Sequence, residues 1–149
     1  MSVYRFTIHI AAPPEQVFDL WTDLERFPEW IGGVTKVTDV TGPSDRTGTR
    51  YTVHFGRMRS PTEILEAERP RIVRTRFGSW LLRGQTLVTF EPQGTGTLLT
   101  QEFRTRGVIP AIAARVFASG SWGGSFRGEL KAFAKLAKRD ASAAQGGRP

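Results

Sequence analysis

Proton-transfer chemistry has few carriers in this chain. The two histidines, His9 and His54, are too few to build a histidine metal site. Carboxylate-rich cation sites stay open on residue types alone. The chain has no cysteine, which removes disulfides, thiolate ligands and thiol nucleophiles together. General acids or bases would have to come from Tyr51, His54, Arg74 or Glu66. None of these forms a recognisable pair with another group at fixed spacing. His54 alternates with Tyr51, Val53 and Phe55 on one strand pattern, so it is expected to face outward into solvent. The residues therefore nominate no catalytic set, no metal and no cofactor.

The charge is more informative. The formal charge of +7 over 149 residues biases the surface toward anionic partners. A nucleic-acid face would draw on Arg74, Arg76, Arg83, Arg104 and Arg106. Against it, Glu63, Glu66, Glu68, Glu91 and Glu102 interleave with them, as on a solvated sheet face with cross-strand pairs, and no nucleic-acid motif is present. Hydrophobic residues are 39% and charged residues 23%, which places the chain among globular proteins of one domain. No apolar run is long enough for a membrane span, and the first ten residues lack the apolar core of a signal peptide, so a cytoplasmic location is expected.

The elements that would position these groups follow from periodicity. Tyr4, Phe6, Ile8 and Ile10 alternate with polar residues, the period of a half-buried strand. Pro13-Pro14-Glu15 opens a helix with the apolar stripe Val17, Leu20, Trp21 and Leu24. Thr22 to Glu25 reads as a capping box that starts a second short helix before Trp30. From Val34 to Arg106, turn chemistry at Thr41 to Gly48, Gly56 to Arg59, Arg69 to Arg71, Gly78 to Leu81 and Pro92 to Gly96 separates consecutive strands. Connectors this short imply an antiparallel meander. Pro110 then opens a long helix to about Arg139. Residues 1–139 are read as one domain and 140–149 as a tail with nothing to bury.

This order, with Ile10-Ala-Ala-Pro-Pro-Glu-Gln-Val17, Trp21-Thr-Asp23, Phe27-Pro-Glu-Trp30, Gly48-Thr-Arg50 and Gly96-Thr-Leu98, resembles the SRPBCC superfamily. More narrowly it resembles the polyketide cyclase/dehydrase and lipid-transport group, related to START domains and the birch-pollen allergen. The resemblance runs to about residue 138. It implies an α+β helix-grip fold: a curved seven-stranded antiparallel sheet wrapped around a long C-terminal helix, with two short helices between the first two strands. It also implies a cavity between sheet and helix for a lipid, polyketide or similar molecule. No enzyme motif of the group is matched, so no catalytic residue is carried over.

Two further patterns bear on such a cavity. The C-terminal helix carries Gly120, Gly123, Gly124 and Gly128, which forgo roughly 3 to 4 kcal/mol of helix propensity relative to alanine. Glycines there leave a concave sheet unfilled; they would equally allow close helix–sheet contact or a kink. Hairpin counting also sorts the connectors into a polar end and an apolar end. The apolar end gathers Met58, Trp80, Leu81, Leu82 and the Gly107 to Pro110 turn, ringed by Arg57, Arg59, Arg83, Arg104 and Arg106. That suits a mouth admitting a greasy ligand or touching an anionic membrane, or alternatively loops packed on one another or in a dimer. The inward strand faces are expected at Tyr51, Val53 and Phe55, at Val88 and Phe90, and at Leu99, Gln101 and Phe103. The expected ligand-binding set is those residues other than Leu99, joined by Trp30, Met58, Trp80, Ser119, Trp122, Gly123 and Phe126. The expected use is transport or sequestration, with a cyclase/dehydrase-type reaction as the alternative. Monomer and homodimer both remain open.

Overall fold

A computed structural model describes residues 2–55, 57–78, 83–106 and 122–146. The chain begins with strand β1 (Ser2–Ile10), then α1 (Pro14–Trp21), a 3-10 turn (Leu24–Arg26) and α2 (Phe27–Trp30). Strands β2 (Val34–Thr38), β3 (Arg50–Phe55), β4 (Met58–Glu68), β5 (Ile72–Gly78), β6 (Arg83–Gln93) and β7 (Gly96–Arg106) follow, and α3 (Trp122–Gly146) closes the described chain. The sheet has seven strands in the order β1-β7-β6-β5-β4-β3-β2, every neighbouring pair antiparallel. It is the meander that the short connectors demand, closed by β1 on β7. The α+β helix-grip arrangement is thus the observed one.

Alternation decides which side chains meet the helices. Cross-strand partners share a face, so Phe6↔Gln101↔Val88↔Val73 and Tyr51↔Thr62↔Phe77 each define one row. Tyr51, Val53, Ile64, Val73, Val88, Phe90 and Leu99 share a single core cluster with Trp21, Trp30, Leu130 and Phe133, which makes this the inner face. Phe133 is fully buried, with ring centroids 5.1 Å from Trp21 and 4.8 Å from Trp30. Bulges between Val34 and Lys36 and between Ile64 and Glu66 shift the register locally and leave the inner rows intact.

Local chemistry explains the turns. At the β6–β7 tip, Gly94 takes φ +61°, the left-handed conformation glycine adopts without penalty. Gly84 lies under the Phe77 ring on the neighbouring strand, so close that a Cβ would fall 2.5 Å from the ring and from the Arg104 carbonyl oxygen. Thr22 does not build the expected capping box: its hydroxyl donates back to the Phe18 carbonyl at 3.0 Å and closes α1 instead. The 3-10 turn starts after Asp23 with no side-chain cap.

The C-terminal helix continues past the expected end at Arg139. Asp140 accepts from Arg26 at 2.6 Å and Ala141 is buried, so the chain beyond 139 still has contacts that hold it helical to Gly146. The expected helix start at Pro110 and the segment 107–121 lie outside the described residues. Among the described residues, no helix is long and apolar enough to cross a membrane.

Candidate functional site

The inner face is where the sequence placed its site. Strand β3 directs Tyr51, Val53 and Phe55 inward; β6 directs Val88 and Phe90, and β7 directs Gln101 and Phe103. Trp30 closes α2 and joins the same side, packed among Trp21, Phe27 and Phe133. Met58, at the start of β4, shares the inner row but is 46% exposed at the sheet's end. Trp80, Leu81, Leu82 and Ser119 lie outside the described residues. Trp122, Gly123 and Phe126 fall in the first turns of α3, where the backbone alone is described. The walls of the expected cavity on the helix side are therefore not among the described side chains.

Polar groups on this apolar face stand out by their lack of partners. The Trp30 indole Nε1 is buried with no hydrogen bond among the described residues. Gln101 is 8% exposed and Tyr51 is 7% exposed, and among the described residues neither the amide nor the phenol has a hydrogen-bond partner. Burial pushes the Tyr51 phenol well above its usual range, so it remains a neutral donor. Buried amides and hydroxyls are nearly always satisfied in proteins. Here the Trp30 Nε1 is the buried polar atom on this face left open among the described residues.

One titratable group was not picked out from sequence. Glu129, on α3, has its carboxyl pushed up to about 7 by burial, even though it accepts a hydrogen bond from the Gly32 backbone N–H. It lies one helical turn before Phe133, on the side of α3 that meets α2. Arg26–Asp140, Trp30–Phe133 and Gly32–Glu129 run in order along that seam. The available signal was helical spacing: a carboxylate four residues before a core phenylalanine sits at the edge of the apolar stripe.

The other acid–base candidates belong to the opposite face. His54, Glu66 and Arg74 alternate with inner residues and point outward. His54 is not the solvent-exposed residue expected of it: it is 8% exposed, because its Nε2 shares a 2.7 Å hydrogen bond with the Thr38 hydroxyl on β2. Arg74 opposes Glu66 across β4 and β5. On the same outer face Arg5 and Arg104 flank Glu102 at 2.9 and 2.6 Å and hold its carboxyl below the usual range. Arg5–Glu102 and Arg76–Glu63 are thus cross-strand pairs, while the Arg74 Nε is buried without a partner among the described residues. Among the described residues no group of three or more histidines and carboxylates gathers to hold a metal.

A family model described as polyketide cyclase/dehydrase and lipid transport matches residues 1–138. The chain belongs to that family. Its name spans an enzymatic and a carrier activity, and membership by itself does not choose between them. Solved structures similar to this polyketide cyclase/dehydrase and lipid-transport chain include Mesorhizobium loti protein MLL2253, 19% identical with a TM-score of 0.72 over 93% of this chain and 98% of that one. Thermus thermophilus protein TTHA0849 is 20% identical, TM-score 0.67, over 94% and 99%. A point mutant of Thalictrum flavum norcoclaurine synthase in complex with a transition-state analogue is 12% identical, TM-score 0.69, over 93% and 95%. At these identities the likeness establishes the fold alone. No curated protein matches the chain.

Proposed function

We propose that the protein binds a lipophilic small molecule bearing at least one polar group, held on the inner face of the sheet against α3, for transport or sequestration. The observation that carries this reading is the Trp30 indole N–H, buried and without a partner among the described residues, on an apolar wall that also presents the Tyr51 phenol and the Gln101 amide. A buried polar group without a partner costs about 1–3 kcal/mol. A ligand acceptor recovers that cost at Trp30, Tyr51 and Gln101 offer further hydrogen bonds, and the surrounding Val53, Val88, Phe90 and Phe103 bury its apolar body. The binding unit is one domain, residues 1–139 with the helical end that packs on it through Asp140 and Ala141, and the family's lipid-transport side supports the carrier use. Exposed Met58, between Arg57 and Arg59, gives the sheet's end a greasy, cationic tip suited to collecting ligand from an anionic membrane.

Native mass spectrometry of freshly purified protein should show a bound organic molecule, and stripped protein should take up a fluorescent fatty-acid analogue. Gly123→Leu should abolish that uptake while the circular dichroism spectrum is retained. Uptake unchanged in the variant would remove the inner face as the site.

Glu129 favours a second reading, a cyclase/dehydrase-type enzyme acting on a ligand in the same place. A carboxyl that titrates near neutrality can both give and take a proton, which aldol closure and dehydration require. The likeness to norcoclaurine synthase supports this only as a fold analogy. Turnover of a polyketide-like β-dicarbonyl chain, lost in Glu129→Gln while fatty-acid-analogue binding persists, would establish it. No turnover by either protein would leave the carrier reading standing.

A further inference from the structure

The outer face of the sheet is not a uniform solvated surface. A cavity of about 670 Å³ opens against β3, β4 and β5, within the ~300–1,000 Å³ range of small-molecule sites. Arg50, Thr52, Pro61, Glu63, Arg76 and Arg83 line it. The register Arg50↔Glu63↔Arg76, Thr52↔Pro61 and Gly78↔Arg83 sets these residues in the rows that alternate with the core-facing ones. Tyr51, Thr62 and Phe77 border it as well, in sequence between the outer residues, but their row is the inner one. The charged lining therefore belongs to the outer face.

Its charges are unevenly engaged. Arg76 is tied to Glu63 at 2.5 Å. Arg50 and Arg83 have no acidic partner among the described residues, and both are exposed. Asp39, on the rim, accepts from the Thr38 hydroxyl at 3.0 Å, so three arginines face two carboxylates.

The main chain carrying Arg50 is also clamped. Thr41 N donates to the Arg50 carbonyl at 3.0 Å, and Arg50 N donates to the Thr41 hydroxyl at 2.9 Å. The chain reaches that clamp through Asp39 at φ +58°, a left-handed conformation that costs a non-glycine residue about 1 kcal/mol or more. A planar guanidinium on a fixed backbone, with no acidic partner among the described residues, matches a carboxylate or phosphate in two-point hydrogen bonding. Pro61 and the methyl of its cross-strand partner Thr52 supply an apolar wall beside it.

We propose that this outer groove is a second binding site, for a small organic anion whose carboxylate or phosphate meets Arg50 and Arg83 and whose apolar part lies against Pro61 and Thr52. Phenyl phosphate and benzoate serve as probes, followed by isothermal titration calorimetry at low salt, with benzyl alcohol and inorganic phosphate as the uncharged and purely ionic arms. Phenyl phosphate should bind at least ten-fold more tightly than either control, and Arg50→Gln with Arg83→Gln should weaken it at least ten-fold. Glu63→Gln, which frees Arg76 and removes a negative charge, should tighten it several-fold. Three results would each overturn the site: equal affinity for inorganic and phenyl phosphate, no change in the double arginine variant, or weaker binding by Glu63→Gln. Displacement of phenyl phosphate by a long-chain fatty alcohol, which has no anionic group for Arg50 and Arg83, would overturn it as well, by assigning the probe to the inner face.

Discussion

At the scale of single residues, Glu129 carries a pH signature with a definite sign. Its folded-state carboxyl titrates at about 7 against an ordinary 4.5, because burial penalises the charged form more than the Gly32 N–H stabilises it. The folded protein therefore holds a proton that the unfolded chain releases above pH 4.5. Stability from this group is fully present below 4.5 and is lost as pH rises through 7, in total about 3 kcal/mol. Glu129→Gln keeps an acceptor for Gly32 without the charge. In urea unfolding at pH 5 and pH 8, the variant should show a drop smaller by about that amount and be the more stable protein at pH 8. Parallel pH dependence in the two proteins would count against a buried carboxyl. His54 shows the converse lesson: alternation assigned its face correctly, but the hydroxyl that covers it comes from Thr38 on a neighbouring strand, which no local pattern reveals.

At the scale of elements, the glycines of α3 do not act as one group. Gly128 is exposed, and a Cβ built on it meets nothing within 4 Å, so its missing side chain opens no hollow against the sheet. Gly128→Ala should raise stability by about 1 kcal/mol through helix propensity alone, visible as a higher Tm, with uptake of the fatty-acid analogue unaltered. A loss of uptake there would place the ligand on the opposite side of the helix from Phe133. Room for a ligand beside the helix thus depends on the glycines nearer its start, above all Gly123. The helix's end teaches a related point. Composition from residue 140 onward offers little to bury, yet Asp140 finds Arg26 and Ala141 packs inward, so tertiary partners extend the helix beyond its sequence pattern.

For the whole molecule, the strand pairings gather the ends of β3, β5 and β7 with the starts of β4 and β6 at one end of the sheet: Phe55↔Met58, Gly78↔Arg83 and Arg83↔Arg106. That end couples an exposed Met58 to the neighbouring cations Arg57 and Arg59, the surface expected of a carrier that exchanges cargo with an anionic bilayer. Met58→Ser with Trp80→Ser should slow transfer of the fatty-acid analogue to phosphatidylserine vesicles at least several-fold while changing its affinity little. Equal losses in rate and affinity would make both residues ordinary wall contacts.

The sequence by itself determined the element order, the antiparallel meander and the inner rows of β3, β6 and β7. These depend on period-two alternation and short connectors, which are local properties that tertiary contacts rarely reverse. It also led to the family, because the motifs carrying the resemblance are contiguous. Only the tertiary structure decided which polar groups lack partners, how Glu129 is desolvated, and that Arg50 and Arg83 flank a cavity on the outer face. Satisfaction, burial and concavity are relations between residues far apart in the chain. The residues that meet Trp30, Gly32 or Arg50 are selected by the packing of whole elements, and no short window along the sequence contains both members of such a pair.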